Sequence, residues 1–191
     1  MEIPKGHPYW AVRSVIEGEP DVEFLIFSYY NYIPQAIQDE RIIFQVTRED
    51  FLSEKHVSKL LNGGDEDCEL SIHSTVVLRD GREKHLPMID MSTSSKAHLK
   101  KIEPFIGWDL FEQFVWFDSG RSFHGYGRKF LSKNEWVALM GSLLLSNVKD
   151  MKPIVDPRWI GHRLLAGYST LRWTNRTKFY LGKPSKIAER P

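Results

Sequence analysis

A single cysteine, Cys68, in 191 residues leaves no internal disulfide and no multi-cysteine zinc site, and it fits a reducing cytoplasm. No apolar run approaches the length of a membrane span. The start, Met1-Glu2-Ile3-Pro4-Lys5, lacks the apolar centre of a signal peptide. The expectation is a cytoplasmic protein that does not contact a membrane. A formal charge of +1 gives no overall basic field to gather nucleic acid. His7, His56, His73, His85, His98 and His162 show no metal-ligand spacing and read as packing or surface residues. No repeat, low-complexity tract or linker interrupts the chain. Gly125-Tyr126-Gly127-Arg128-Lys129 lacks the Gly-Lys-Ser/Thr ending of a phosphate-binding P-loop. No nucleophile-elbow motif accompanies the Ser119-Gly120 turn, which argues against hydrolase chemistry.

What is present describes one good-sized core, or two small subdomains sharing one: 41% hydrophobic and 27% charged residues. Basic residues gather in the last third, from Arg158 to Lys186, which permits a local basic groove. Trp108, Trp116, Trp136, Trp159 and Trp173 all fall in the second half and predict that much of the core lies there. The pattern gives strands at Tyr9 to Ile16, Val22 to Tyr29 and Arg41 to Val46; Asn31 to Glu40 stays ambiguous. A helix starts at Thr47 and stops at Asn62-Gly63-Gly64. Glu69 to Leu78, the Asp80-Gly81 turn and Lys84 to Met91 read as a hairpin whose second strand ends near Asp90.

Further along, a helix around Ala97 to Ile102 precedes a loop from Phe105 to Leu110. Phe111 to Asp118 and Arg121 to Tyr126 read as strands joined at Ser119-Gly120. Ser132-Lys133-Asn134-Glu135 is a capping box for a helix to about Asn147. Pro153 to Asp156 reads as a short strand, Pro157 as the first position of a helix stopped by Gly167, and Ser169 to Thr174 and Lys178 to Leu181 as strands. Interleaved strands, hairpins and helices predict an α/β or α+β fold, a mixed and largely antiparallel sheet flanked by helices. It divides into a smaller unit over residues 1–66, a motif-bearing sheet over 67–183 and a tail over 184–191.

Ser119-Gly120-Arg121-Ser122-Phe123-His124 can present hydroxyl, imidazole and guanidinium on one side, a donor set that suits a triphosphate. Asp90 and Asp156 each follow an apolar pair, Met88-Ile89 and Ile154-Val155. Carboxylates at strand ends suit magnesium or manganese. Other roles stay open: Asp156 before Pro157 suits a helix cap, and Asp90 before Met91-Ser92-Thr93 suits a turn. His162-Arg163 reads as a solvated helix face, with contact to the phosphates as the alternative. Trp173 reads as core, with base stacking as the alternative.

The order Asp90, Ser122-Phe123-His124, Asp156, then a basic strand resembles the archaeo-eukaryotic primase superfamily of primases and primase-polymerases, over roughly Glu69 to Leu181. The resemblance implies a primase-polymerase-like catalytic core, a nucleotidyltransferase that extends or primes nucleic acid. It implies Asp90 and Asp156 as metal ligands for Mg2+ or Mn2+, and Asp90, Asp156 and His124 as catalytic residues. Ser122, His124, Arg121 and Arg172 would bind the nucleotide. The implied partners are a nucleoside triphosphate, a template or primer, and a helicase or other replication protein. The sequence departs from the family pattern at Ser92, where a second acid would stand; Asp118 is a candidate substitute. That departure implies the alternative of a degenerate accessory protein that binds nucleotide without polymerising, in replication or mobile-element defence. An accidental match would leave an interaction domain instead. The discriminating observation is whether Asp90, His124 and Asp156 line one cleft.

Overall fold

The computed structural model describes residues 2–37 and 40–187. Two antiparallel sheets and flanking helices make an α+β fold. The first sheet has the order β2 (Ile42–Thr47), β1 (Val22–Tyr30), β3 (Glu69–Leu78), β4 (Glu83–His85), with β8 (Thr170–Arg172) also on β3. The second has the order β5 (Met88–Asp90), β7 (Phe123–Tyr126), β6 (Val115–Asp118), β9 (Ser185–Lys186). β1 and β3 pair across residue 66, and β9 brings Ser185 and Lys186 onto β6.

The first strand expected, Tyr9 to Ile16, is a helix, α1 (Tyr9–Glu17). Tyr9, Val12 and Ile16 are its buried residues, a spacing of three and four that fits one helical stripe better than alternation. The helix expected from Thr47 to Asn62 is two, α2 (Arg48–Leu52) and α3 (Glu54–Asn62). Ser53 adopts an extended backbone and its hydroxyl accepts from His56 N–H, so it caps α3 and breaks the run. Lys96–Ile102 is a 3-10 helix, and the loop expected at Phe105 to Leu110 falls within α4 (Glu103–Ile106) and α5 (Trp108–Phe111). Phe111 thus belongs to a helix, and the strand begins only at Val115. Lys178 to Leu181 is not a strand.

The main correction concerns the strand expected from Lys84 to Met91. β4 pairs with β3 as far as His85. Pro87 brings no N–H to continue the ladder, and the chain leaves for the second sheet as β5. Asp90 therefore lies at that sheet's edge, opposite His124. Pro153 to Asp156 forms no strand but lies along this edge. Met91 bridges Val155, Ser92 N–H donates to the Ile154 carbonyl at 2.8 Å, and Asp156 N–H donates to the Asp90 carbonyl at 3.0 Å.

Alternation along the second sheet sorts its side chains. Met88, Phe117 and Tyr126 join the first core with Phe27, Ile72 and Trp173. Ile89, Trp116 and Phe123 join the second core with Trp136 and Leu143 of α6 (Lys133–Leu145) and Ile160 of α7 (Pro157–Ala166). Asp90 and His124 share a face with Met88 and Tyr126, so they turn toward the first sheet. The tryptophans thus serve both cores, and Trp173 is fully buried in the first with its indole N–H on the Tyr126 hydroxyl. Gly125 lets Trp116 lie across β7: a Cβ there would meet the indole at 2.7 Å.

Candidate active site

A cleft of roughly 1410 Å³ holds Asp90, Ser92, Arg121, Ser122, His124 and Asp156 together. Arg158, His162, Arg163 and Arg172 also line it. At that size it exceeds the usual few hundred to about 1,000 Å³ of a single small-molecule pocket.

Asp90 ends β5 with about a quarter of its side chain exposed, and His124 Nε2 lies 3.7 Å from its Oδ1. Among the described residues, no donor makes a hydrogen bond to its carboxylate. The surrounding walls strip water from it, and Asp156 adds a like charge. Together they push its carboxyl up to about 8, against the opposing pull of Arg172 and Arg163. Asp156 caps α7: its Oδ1 accepts from the Arg158 and Trp159 N–H groups at 2.8 and 3.1 Å. The helix-cap and cleft placements expected separately for Asp156 thus coexist in one side chain.

His124 is buried, and its Nδ1 has no partner among the described residues. Burial, then the nearby Arg172 charge, hold its imidazole down at about 3, so it is neutral at physiological pH and carries one N–H and one lone pair. The hairpin before it is shaped for the cleft. Asp118 Oδ1 accepts from Gly120 N–H at 2.7 Å, Gly120 takes φ +102°, and the Ser119 and Ser122 hydroxyls pair at 3.1 Å. Asp118 is spent on this turn and does not line the cleft.

Arg172 is buried and its terminal nitrogens donate to the Ser119, Gly182 and Thr174 carbonyls. Its guanidinium also lies 3.9 Å from the centre of the Tyr180 ring. It positions the Ser119–Ser122 turn and adds positive charge, while its Nε has no partner among the described residues. His162 and Arg163 are not a solvated face: Arg163 is buried and both line the cleft. Sequence reasoning missed Arg41, whose guanidinium lies over the Tyr30 ring at 4.0 Å and donates to the Ser28 and Ser71 hydroxyls. It also missed the aromatic wall of Tyr30, Tyr32, Phe179 and Tyr180. Three tyrosines within Tyr29-Tyr30-Asn31-Tyr32, at the end of a strand, were the available signal.

Among the described residues, no three His, Cys, Asp or Glu side chains form a group able to hold a metal ion. The residues fit a single divalent cation on the neighbouring Asp90 and Asp156 better than a paired-metal site. Among the described residues Asp90 is a carboxylate without a hydrogen-bond donor, beside a like charge, and a cation would relieve both conditions.

No helix among the described residues is long and apolar enough to cross a membrane. Neither curated proteins nor solved structures give a match. A family model described as archaeo-eukaryotic primase 1D-like matches residues 48–185, which take in Asp90, Ser122, His124 and Asp156 along with most of the chain. That family is primase-polymerase-like, and its function concerns nucleic acid. On that match, over a fold that gathers the same motifs into one cleft, the chain belongs to the archaeo-eukaryotic primase-like family.

Proposed function

We propose that this chain is a primase-polymerase-like nucleotidyltransferase that binds a nucleoside triphosphate with Mg2+ or Mn2+ and extends or primes nucleic acid. The observation that carries the reading is the convergence of Asp90, His124 and Asp156, distant in sequence, on one cleft. Arg121 is exposed at the cleft and free to reach a phosphate as a fork of donors. Ser122 offers a hydroxyl, and neutral His124 offers an N–H with no desolvated charge beside the cation. Asp90 and Asp156 would hold the cation, which would neutralise phosphate charge and orient the reacting oxygens. Arg172 keeps the Ser119–Ser122 turn in register with them.

Template-dependent nucleotide incorporation tests the reading. Asp156→Asn keeps a capping oxygen for α7 but removes the charge, so the fold survives and incorporation falls at least a hundredfold. Equal incorporation by both proteins would remove the assignment.

A second reading rests on Ser92. Its exposed side chain lies in the cleft where the family pattern has a second acid, and a hydroxyl is a weak neutral ligand. Two carboxylates offset one divalent cation, not two. The second reading is an accessory protein, acting beside a replication partner, that binds triphosphate without polymerising. Triphosphate binding in the absence of incorporation, with every template offered, selects it.

A further inference from the structure

The phosphate-facing corner occupies only one end of the cleft. The other end is lined by Tyr32, Ile33, Pro34, Phe179, Tyr180 and Leu181. Tyr32 retains 38% of its exposure although it touches two other rings. Its ring centre lies 5.5 Å from those of both Phe179 and Tyr180, at 70° and 47°. Tyr180 is fixed from behind: its hydroxyl pairs with that of Tyr30 at 3.1 Å, and Arg172 covers one face. The loop carrying Tyr32 is fastened too, by Ala36 N–H on the Ile33 carbonyl and by Arg158 reaching from α7 to the Ala36 carbonyl at 3.1 Å. These contacts tie the open aromatic surface down at two points, which reduces the conformational entropy lost when a flat ligand settles on it.

Arg172 also sets how far this surface stands from the phosphate corner. One of its nitrogens holds the Ser119 carbonyl at 2.9 Å while its carbon lies 3.9 Å from the centre of the Tyr180 ring. A single guanidinium thus joins the turn to the aromatic wall. We propose that Tyr32 and Phe179, backed by Tyr180, form a stacking shelf for the base of the nucleoside triphosphate. This rests on the nucleotide-binding reading above and adds the element that grips the base. The six residues of the shelf are aromatic and aliphatic, so it grips a base by its face rather than by its edge. It therefore takes all four bases, purines more tightly through their larger stacking area.

The test compares ATP, UTP and inorganic triphosphate, each with Mn2+, by titration calorimetry on wild type, Tyr32→Ala and Tyr32→Trp. Tyr32→Ala is expected to weaken ATP about tenfold while leaving inorganic triphosphate unchanged, and Tyr32→Trp to restore ATP binding. Wild type is expected to bind ATP several-fold more tightly than UTP. Unchanged ATP affinity in Tyr32→Ala, or an equal loss for inorganic triphosphate, overturns the shelf and leaves the phosphate corner standing. Failure of wild type to bind any of the three ligands overturns the nucleotide-binding reading, and the shelf with it.

Discussion

Each sheet carries a carboxylate largely withdrawn from water, and the two are treated in opposite ways. Glu69 opens β3 in the first sheet and is fully buried. It accepts from the Thr174 hydroxyl at 2.5 Å, the Arg176 N–H at 2.8 Å, and both the N–H and the hydroxyl of Thr177, at 2.8 and 3.1 Å. Asp90 ends β5 in the second sheet and has no such donor among the described residues, where His124 Nε2 lies 3.7 Å away. A carboxylate that serves the fold is saturated by the fold. One that is desolvated, set beside a like charge and left without donors lowers stability, and persists where a ligand completes it. The first sheet satisfies its carboxylate from within, whereas the proposed cation would complete the corner of the second.

The largest effect that sharpens this contrast is on Glu69. Glu69→Ala leaves the Thr174, Arg176 and Thr177 donors inside without an acceptor, and is expected to cost at least ~3 kcal/mol by urea unfolding. A loss below ~1 kcal/mol would show that the segment re-solvates freely.

Asp90→Asn should act in the other direction. The folded-state value near 8 lies above the ordinary 3.8, so the folded state binds more protons. Stability from this group is complete below about pH 4 and is lost as pH rises through 8. His7 and His85, held down at about 4 by burial, work in the opposite sense. With His124 they contribute stability above about pH 6.5 that is lost as pH falls toward 4. Between pH 6.5 and 8 the Asp90 slope therefore stands alone among these groups. The melting temperature of wild type should fall across that window, and the fall should vanish in Asp90→Asn. An unchanged slope in the variant would mean that Asp90 is ionised throughout.

The smallest effect is at Asp156, which serves both fold and cleft. Asp156→Ala removes the α7 cap and should cost about 1 kcal/mol more than Asp156→Asn, which keeps an acceptor, by the same unfolding measurement.

Local signals carried much of this into the sequence. The Ser132–Glu135 capping box forms as written, Gly167 stops α7 at φ +82°, and Gly81 turns the β3–β4 hairpin at φ +81°. Each depends on residues a few positions apart. The transfer of the chain from one sheet to the other after Pro87 was not legible, because the competing partners, β3 and β7, lie far off in sequence. The proximity of Asp90 to Asp156 was legible only through motif order. Nothing local joins Tyr32 to Tyr180: the aromatic wall exists because Arg172 and Tyr30 hold the segment after β8 against β1. Asp118 illustrates the converse. Its position beside the turn suggested a spare acid, but the Gly120 N–H claims it.

The most direct test of the account is titration of ATP with Mn2+ into wild type and Asp90→Asn at pH 7 in buffers of different ionisation heat. If Asp90 and Asp156 take up the cation, Asp90 gives up its proton on binding. Wild type then shows a buffer-dependent heat equal to nearly one released proton, while the variant loses that dependence and most of its affinity. Equal affinity and equal proton release in the two proteins would contradict it.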